Sequence, residues 1–484
     1  MNTTLETAPQ NTIMDTSKLK NFAQEARRSL IEQVRIKLDA VLSENSLARR
    51  EKGDAVKDIE NEIKEIQKNL SKNSQTEVIY SDKKKEQLIE KVAYTWFNRF
   101  CALRFMDLNN FNHVKVVSPI EENLTQPEIL DLAKCGNVDS IFVKDETKRK
   151  IITDILNGKF NRNDPLNEVY GNLIVAVCNY YHKIMPNLFE EIDDYTELLM
   201  PIDLLSDNSI LAKTRAALTK ENCNDVEIIG WLYQYYISEK KDQVFVSFKN
   251  GKKAEAEHIP AATQLFTPHW IVRYLVENSL GRLWLLNHPR SKLIEKMEYY
   301  VKPKDIEDDF LQIKTPEELK ICDPACGSGH MLTYAFDLLY SIYEEEGYTS
   351  TDIPKKILTH NLFGFEIDER ASELANFALT MKARSKDRNF FNNPIQPNIC
   401  VIEKIDFEEH ELKNYLDFVD KNRKIFNENL LDTLHQFKEA DNFGALIKPK
   451  ATDVSSVLSK LQALDLSANL IYKNIQLCIV TIAL

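Results

Sequence analysis

A glycine-rich segment, Cys-Asp-Pro-Ala-Cys-Gly-Ser-Gly-His at 322–330, carries the clearest chemical signal in this chain of 484 residues. Gly327 and Gly329 let the backbone turn tightly and let a ligand approach closely, where any Cβ would obstruct it. Asp323 can accept a hydrogen bond from a cationic amino group. The segment has no Gly-Lys-Ser/Thr to hold phosphates and Mg²⁺, which favours an amino-acid-bearing nucleotide over a polyphosphate. A glycine-rich turn without a ligand is the alternative for this segment taken alone.

A second acidic segment, Gly-Phe-Glu-Ile-Asp at 364–368, follows further along the chain. Glu366 ends a predicted strand, where in nucleotide-binding sheets a carboxylate accepts hydrogen bonds from both ribose hydroxyls. The interval from Gly329 to Glu366 is 37 residues, longer than the ~20 of a dinucleotide fold, which disfavours a dehydrogenase. A surface acidic pair at a strand end is the alternative.

Alternating strand and helix patterns position these two segments. Strands are predicted at Leu319–Cys322, Leu362–Ile367 and Asn398–Ile405, and helices at Met331–Tyr343 and Ala371–Ala383. This order predicts an α/β fold with a parallel sheet and right-handed crossovers. The carboxyl edge of such a sheet is where ligands bind.

The first half of the chain is predicted to be mainly helical, with a buried core helix over Val92–Met106. Further helical patterns occur at Ile151–Leu156, Leu173–Ile184 and Ile228–Ile237. Gln243–Phe248 is predicted to be a short strand followed by an Asn-Gly hairpin turn, which predicts a domain boundary near 240–258. Lys83, Lys84 and Lys85 could contact a phosphate backbone, although such a run at the head of a helix is more often a solvated face.

Composition limits the possible functions. Sixty-two Lys and Arg against 74 Asp and Glu give a net charge of −12, which opposes uniform nucleic-acid binding but permits a local basic groove. No apolar run approaches the ~20 residues that a membrane span needs, and the N-terminus does not resemble an export signal. We therefore expect a cytoplasmic protein without membrane contact. Eight cysteines without zinc spacing predict neither a disulfide framework nor a metal site.

The two segments, preceded by Gln-Leu-Phe-Thr-Pro at 264–268, together resemble the cofactor site of gamma-type adenine-N6 DNA methyltransferases. The resemblance implies a Rossmann-like methyltransferase domain that uses S-adenosyl-L-methionine. In that family Thr267 and Pro268 would face the methionine part of the cofactor, and Asp406 would bond the adenine amino group. The residues to which the resemblance assigns cofactor binding are Thr267, Pro268, Asp323, Pro324, Ala325, Cys326, Gly327, Gly329, Glu366, Ile367, Asp406 and Phe407.

Three further segments, at 14–22, 230–236 and 267–274, are similar to the large adenine methyltransferases of BREX phage-defence systems, the PglX family. The resemblance implies an extension at 1–13, a mainly helical domain at 14–250, and the N-terminal, cofactor-binding part of a methyltransferase domain at 251–484. It also implies double-stranded DNA as a partner, contacted mainly through a later region of such proteins, and other phage-defence proteins as possible partners.

The Asn/Asp-Pro-Pro-Tyr/Phe motif of this family is absent, the nearest string being Asn-Asn-Pro-Ile at 392–395. That motif orients the exocyclic amine of the target adenine and stacks on the flipped base. No catalytic residue is therefore assigned. The sequence predicts a chain that stops short of the motif, in a β-prone run at 475–484, and is inactive alone. The alternatives are a non-catalytic module that binds S-adenosylmethionine or partner proteins, and a methyltransferase for protein or RNA amides.

Overall fold

The structure is a computed structural model that describes most of the chain between residues 16 and 402. The described residues are 16–43, 56–57, 59–60, 74–121, 124–189, 195–251, 262, 267–305, 308–402, 410, 412–414, 428–438, 447–448 and 450. The expected extension at 1–13, the segment 264–266, Asp406, Phe407 and the run at 475–484 lie outside the described residues.

Helices occupy the described residues before 251. They are α1 (Thr16–Leu42), α2 (Ser74–Leu108), α3 (Glu128–Lys134), α4 (Glu146–Leu156), α5 (Pro165–His182), α6 (Tyr195–Leu198), α7 (Ile210–Ala217) and α8 (Glu227–Lys249). Helix α1 packs against both α2 and α8. The predicted helices at Ile151–Leu156 and Ile228–Ile237 are confirmed as parts of α4 and α8. The predicted helix Leu173–Ile184 is confirmed as part of α5 as far as His182, where α5 ends.

The predicted core helix Val92–Met106 is confirmed within α2. Trp96, Phe97 and Phe100 recur at helical spacing and are almost completely buried. On α1 a matching stripe of small and branched residues is buried, which lets the large rings of α2 fill the space between the helices. Its members are Leu19, Ala23, Ala26, Leu30, Val34 and Leu38.

The predicted strand at Gln243–Phe248 is wrong, because these residues form the last turns of α8. Val244 and the rings nearby favour strands intrinsically, but packing in the folded chain overrides such preferences. Val244 is buried on the inner face of the helix, and Gln24 of α1 donates a hydrogen bond of 3.0 Å to Ser238 Oγ one and a half turns earlier. The predicted hairpin turn is instead the end of the helix, with Gly251 at φ 76°.

Within the described residues a parallel sheet of three strands follows, in the order β1 (Ile321–Asp323), β2 (Leu362–Glu366) and β3 (Asn398–Val401). Cys322 pairs with Phe363, and Phe365 pairs with Cys400. The predicted parallel arrangement of these strands is confirmed.

The remaining helices connect and cover the sheet. Helix α9 (His269–Val276) continues through a π-helical turn (Glu277–Gly281) into α10 (Arg282–Asn287). Helices α11 (His330–Glu345) and α12 (Ile353–His360) join β1 to β2, and α13 (Glu369–Lys386) joins β2 to β3. Helix α14 (Glu428–Lys438) is the last of the described helices, and short 3₁₀ helices cover Lys292–Lys296, Pro316–Glu318 and Phe390–Asn392. Helix α12, which the sequence analysis did not predict, accounts for the long interval between Gly329 and Glu366.

Helix α13 is buried on two faces. Leu374, Phe377 and Met381 pack into the hydrophobic core of the N-terminal helices. Leu379 and Ala383 pack into the separate core that surrounds the sheet. Helix α13 therefore fixes the carboxyl end of β2, from which it starts, against the N-terminal helices. Among the described helices, none has both the length and the apolar character needed to cross a membrane.

Candidate cofactor site

The turn between β1 and α11, residues 323–329, is here called the glycine loop. Gly327 and Gly329 both adopt left-handed backbone conformations, with φ of 55° and 87°, which L side chains rarely tolerate. The Cys326 N–H donates to the Phe365 carbonyl oxygen at 2.9 Å, and the Gly329 N–H donates to the Cys326 carbonyl oxygen at 2.9 Å. The loop is thus folded onto the end of β2.

The Glu366 carboxylate holds the glycine loop and the residues after β2 together. It is only 8% exposed, and its Oε2 accepts the Gly327 N–H at 2.7 Å. Its Oε1 accepts the N–H groups of Ile367 and Asp368 at 3.0 Å each. Because a carboxylate offers about four acceptor positions, at least one of them remains for a ligand hydroxyl. The sequence predicted a carboxylate for a ribose and did not predict this role within the loop.

Asp323 lies at the end of β1 and is half-buried. Its Oδ1 accepts the Ala325 N–H at 3.1 Å. Burial raises the pKa of the Asp323 carboxyl, and the Ala325 hydrogen bond opposes that rise. Pro324 and Ala325 are exposed, so the outer edge of the loop faces solvent beside this carboxylate.

Cys326 and Gly329 pack against neighbouring protein atoms. Cys326 is buried, and a Cβ built on Gly364 of β2 would lie 3.0 Å from its Sγ. Burial raises the pKa of the thiol, which makes it a poor nucleophile and agrees with a packing role. A Cβ on Gly329 would lie 3.1 Å from the Cβ and 3.2 Å from the Cα of Ala375. A side chain at Gly329 would therefore meet helix α13, and the contact of this residue with a cofactor stays a prediction.

Ile367 and the Thr267-Pro268 pair contribute to the surroundings of the loop. Ile367 is 52% exposed, which leaves an apolar side chain uncovered next to Glu366. Pro268 is the N-cap of α9, and the ring of His269 directly after it lies 6.1 Å from that of Tyr334. Since Tyr334 is about one turn into α11, the residue that directly follows Thr267 and Pro268 packs beside the start of α11.

Helix α8 contacts both segments of the site, which the sequence did not predict. Tyr233 donates a hydrogen bond to Asp368 Oδ2. Ser328 Oγ and His330 Nε2 lie 3.0 Å apart. Both atoms lie against Gly230 of α8, where an added Cβ would be less than 3.0 Å from each. Burial lowers the pKa of His330 to about 4, so its imidazole is neutral near pH 7. The feature of the sequence that could have indicated this contact is Gly230, a glycine inside an otherwise regular helical pattern.

Charged groups meet where α8, α9, α11 and α13 converge. Lys382 Nζ lies 3.0 Å from Asp225 Oδ2 and 2.7 Å from Asp337 Oδ2, and these carboxylates outweigh burial to raise the pKa of the lysine to about 12. Burial, with a smaller effect of Asp225, raises the pKa of Glu227 to about 7. His269 Nε2 lies 3.8 Å from Glu227 Oε1. Over the described residues, no group of His, Cys, Asp and Glu has an arrangement that could hold a metal ion.

Comparison with known proteins agrees with this geometry. Residues 307–399, which include the glycine loop and Glu366, match the family described as MmeI, DNA-methyltransferase domain. The chain is 39% identical over 406 residues to the adenine-specific methyltransferase BrxX of Escherichia coli O9:H4 (strain HS), which covers 78% of this chain. The chain is also 35% identical over 476 residues to the adenine-specific methyltransferase PglX of Lacticaseibacillus casei (strain Zhang), and this alignment covers 90% of this chain.

The chain is a homologue of these adenine-specific methyltransferases. The resemblance to the PglX family expected from the sequence is thereby confirmed. The aligned region spans 33% of the length of BrxX and 38% of the length of PglX. The match at 307–399 also shows that this segment is similar to a methyltransferase domain family.

Proposed function

We propose that this chain supplies the S-adenosylmethionine-binding part of an adenine-N6 DNA methyltransferase of a BREX phage-defence system, with a Rossmann-like fold. The observation that carries the proposal is the 2.7 Å hydrogen bond from the Gly327 N–H to Glu366. It joins the two chemical segments at the carboxyl edge of a parallel sheet, where ligands bind in such folds. The homology to adenine-specific methyltransferases supports the same reaction class.

The chemical groups at this edge suit the parts of S-adenosylmethionine. Asp323, half-buried and next to the exposed residues Pro324 and Ala325, would accept the ammonium group of the methionine part. A cation there would favour the ionised carboxyl and counter the rise in pKa that burial produces. Glu366 would accept a ribose hydroxyl, and the exposed Ile367 would cover one face of the adenine ring.

Binding and orienting the cofactor is the part of the reaction that we assign to these residues. When bound, S-adenosylmethionine supplies an electrophilic methyl group. Thr267 and Pro268, at the start of α9, would limit the space around the methionine part. Asp406 and Phe407 stay assigned to the adenine part of the cofactor as a prediction. Asn-Pro-Pro-Tyr does not occur in these 484 residues, so we assign the orientation of the target base to sequence outside them.

Double-stranded DNA is the proposed substrate, and other phage-defence proteins are proposed partners. Of the lysines at 83–85, Lys85 has a carboxylate partner, since its Nζ lies 2.6 Å from Asp39 Oδ1, which is typical of a solvated surface. We therefore propose that most DNA contacts come from other parts of the complete enzyme. We also propose the division into a helical domain at 14–250 and a methyltransferase part at 251–484.

The proposal can be tested by measuring the affinities for two ligands, one with and one without the amino-acid part of S-adenosylmethionine. Calorimetry should show that the chain binds both S-adenosylmethionine and 5′-methylthioadenosine, which lacks the amino group. Asp323→Asn should weaken S-adenosylmethionine binding about 10- to 100-fold, the effect of losing one charge-assisted hydrogen bond. It should leave the affinity for methylthioadenosine within about twofold.

The matched control is Asp309→Asn, which removes the same charge from an exposed position before β1 and should change neither affinity. Absence of S-adenosylmethionine binding by the unaltered chain would refute the proposed function. Tritium transfer from labelled cofactor to mixed-sequence DNA by the 484-residue chain would refute the assignment of base orientation to other sequence.

A further inference from the structure

We propose that helix α8 is part of the cofactor site, with Gly230 and Tyr233 as positioning residues that hold the glycine loop and the turn after β2. This inference rests on the proposed function, because its consequence is a change in cofactor affinity. The two residues are three positions apart and so share one face of the helix. That face meets the two segments that the Gly327–Glu366 hydrogen bond joins.

Gly230 allows the backbone of α8 to lie directly on the residues that start α11. A Cβ at this position would be 2.6 Å from Nε2 and 2.7 Å from Cε1 of His330, and 2.7 Å from Oγ of Ser328. All three distances are below 3.0 Å, and real Cβ atoms essentially never lie so close to another heavy atom of the protein. A glycine inside a helix costs about 1 kcal/mol relative to alanine. The close packing of α8 against Ser328 and His330 explains why a glycine occupies this position despite that cost.

Ser328 and His330 transmit this contact to the glycine loop. Both are buried, and their side chains lie 3.0 Å apart. They flank Gly329, whose left-handed backbone is itself pressed against Ala375 of α13. A displacement of Ser328 or His330 that pushes Gly329 towards α13 is therefore opposed by the contact with Ala375.

Tyr233 acts on the turn after β2. Its side chain is buried, and burial together with Asp368 raises the pKa of its hydroxyl, so it is a hydrogen-bond donor to Asp368 Oδ2. The Asp368 Oδ1 atom accepts the Arg370 N–H at 3.1 Å and caps α13. The Asp368 N–H in turn donates to Glu366 Oε1. Removal of the Tyr233 hydroxyl would loosen the segment that carries Glu366 and Ile367.

The test compares two helix glycines in the full 484-residue chain. Gly230→Ala should weaken binding of S-adenosylhomocysteine at least tenfold by calorimetry. Gly171→Ala, within α5, is the matched control, since its Cβ would meet only the flexible end of Met200, and it should change affinity less than twofold. Hydrogen exchange of a peptide covering 322–332 should rise about tenfold in Gly230→Ala and stay unchanged in Gly171→Ala.

A second-site variant separates positioning from general loss of stability. In a Ser328→Ala/His330→Ala background the atoms that would clash with the new Cβ are removed, so adding Gly230→Ala there should change affinity less than twofold. If that background does not fold, Tyr233→Phe serves instead, because it removes one hydroxyl and leaves the packing ring in place. It should weaken binding at least about threefold and raise exchange of a peptide covering 364–372.

The results for these variants decide whether α8 positions the glycine loop. Unchanged loop exchange and affinity in Gly230→Ala would overturn it, as would equal losses in Gly230→Ala and Gly171→Ala. An undiminished effect of Gly230→Ala in the Ser328→Ala/His330→Ala background would also overturn it. Failure of the unaltered chain to bind the ligand would refute the proposed function instead, and loop exchange would still decide whether α8 positions the loop.

Discussion

Replacement of Glu366 by glutamine tests the centre of the proposed site without changing side-chain size. The carboxylate accepts three backbone N–H groups, including that of Gly327 at 2.7 Å. The amide oxygen can keep the two donors on the Oε1 side, but the amide nitrogen then faces the Gly327 N–H, donor against donor. Leaving one buried donor unsatisfied costs about 1–3 kcal/mol, which should appear as a lower free energy of unfolding without ligand.

The loss of cofactor affinity comes on top of this effect on stability. A hydrogen bond to a charged group contributes about 1.5–3 kcal/mol, so Glu366→Gln should weaken S-adenosylmethionine binding about 10- to 100-fold. Calorimetry measures the affinity, and urea unfolding at the same temperature measures the stability. Glu369→Gln is the matched control, because it removes the same charge from an exposed position three residues later and should shift affinity less than twofold.

Two results would refute this reasoning about Glu366. Unchanged affinity in folded Glu366→Gln would mean that the carboxylate serves only to hold the loop. Equal losses in Glu366→Gln and Glu369→Gln would mean that net negative charge, and not a directed hydrogen bond, attracts the cofactor.

Three further predictions follow from the loop and its neighbours. Gly329→Ala should lower the free energy of unfolding by at least 1–2 kcal/mol, the cost of a left-handed alanine, because the added methyl also meets Ala375; urea unfolding measures this. Cys326→Ala should bind cofactor within a few-fold of the unaltered chain by calorimetry, since the thiol only packs. His330 has a folded-state pKa of about 4 against 6.5 unfolded, so its contribution to stability is complete above pH 6.5 and is lost as pH falls towards 4. The free energy of unfolding should therefore drop by roughly 3 kcal/mol over that range, and His330→Asn should lack this part of the drop.

The elements that carry the site were predictable because each has a strong local pattern. Strands β1, β2 and β3 and helices α11 and α13 follow apolar runs with the period of their own secondary structure. Helix α12 was missed, because it is short, begins with Ile353 and Pro354, and has two lysines in its first turns. The end of α8 was predicted as a strand because Val244, Phe245 and Val246 favour strands when considered without their neighbours.

The contacts that shape the site could not be predicted from local patterns. The hydrogen bond from Gly327 to Glu366 joins residues 39 positions apart and depends on how one side chain turns at the end of a strand. The bond from Tyr233 to Asp368 joins residues 135 positions apart. Sequence motifs identified which residues lie at the carboxyl edge of the sheet, but not which of them bond to one another.

The segment that matches the methyltransferase family does not contain all the residues that hold its loops in place. Residues 307–399 include the glycine loop, Glu366 and the whole of α13. Yet Leu374, Phe377 and Met381 of α13 are buried by the N-terminal helices, and Asp368, at the start of that helix, is bonded to Tyr233 of α8. In 307–399 taken alone, that apolar face would meet water and Asp368 Oδ2 would lose the Tyr233 hydroxyl as its donor. Helix α13 therefore links the two hydrophobic cores, because its side chains pack into the core of the N-terminal helices and into the core around the sheet.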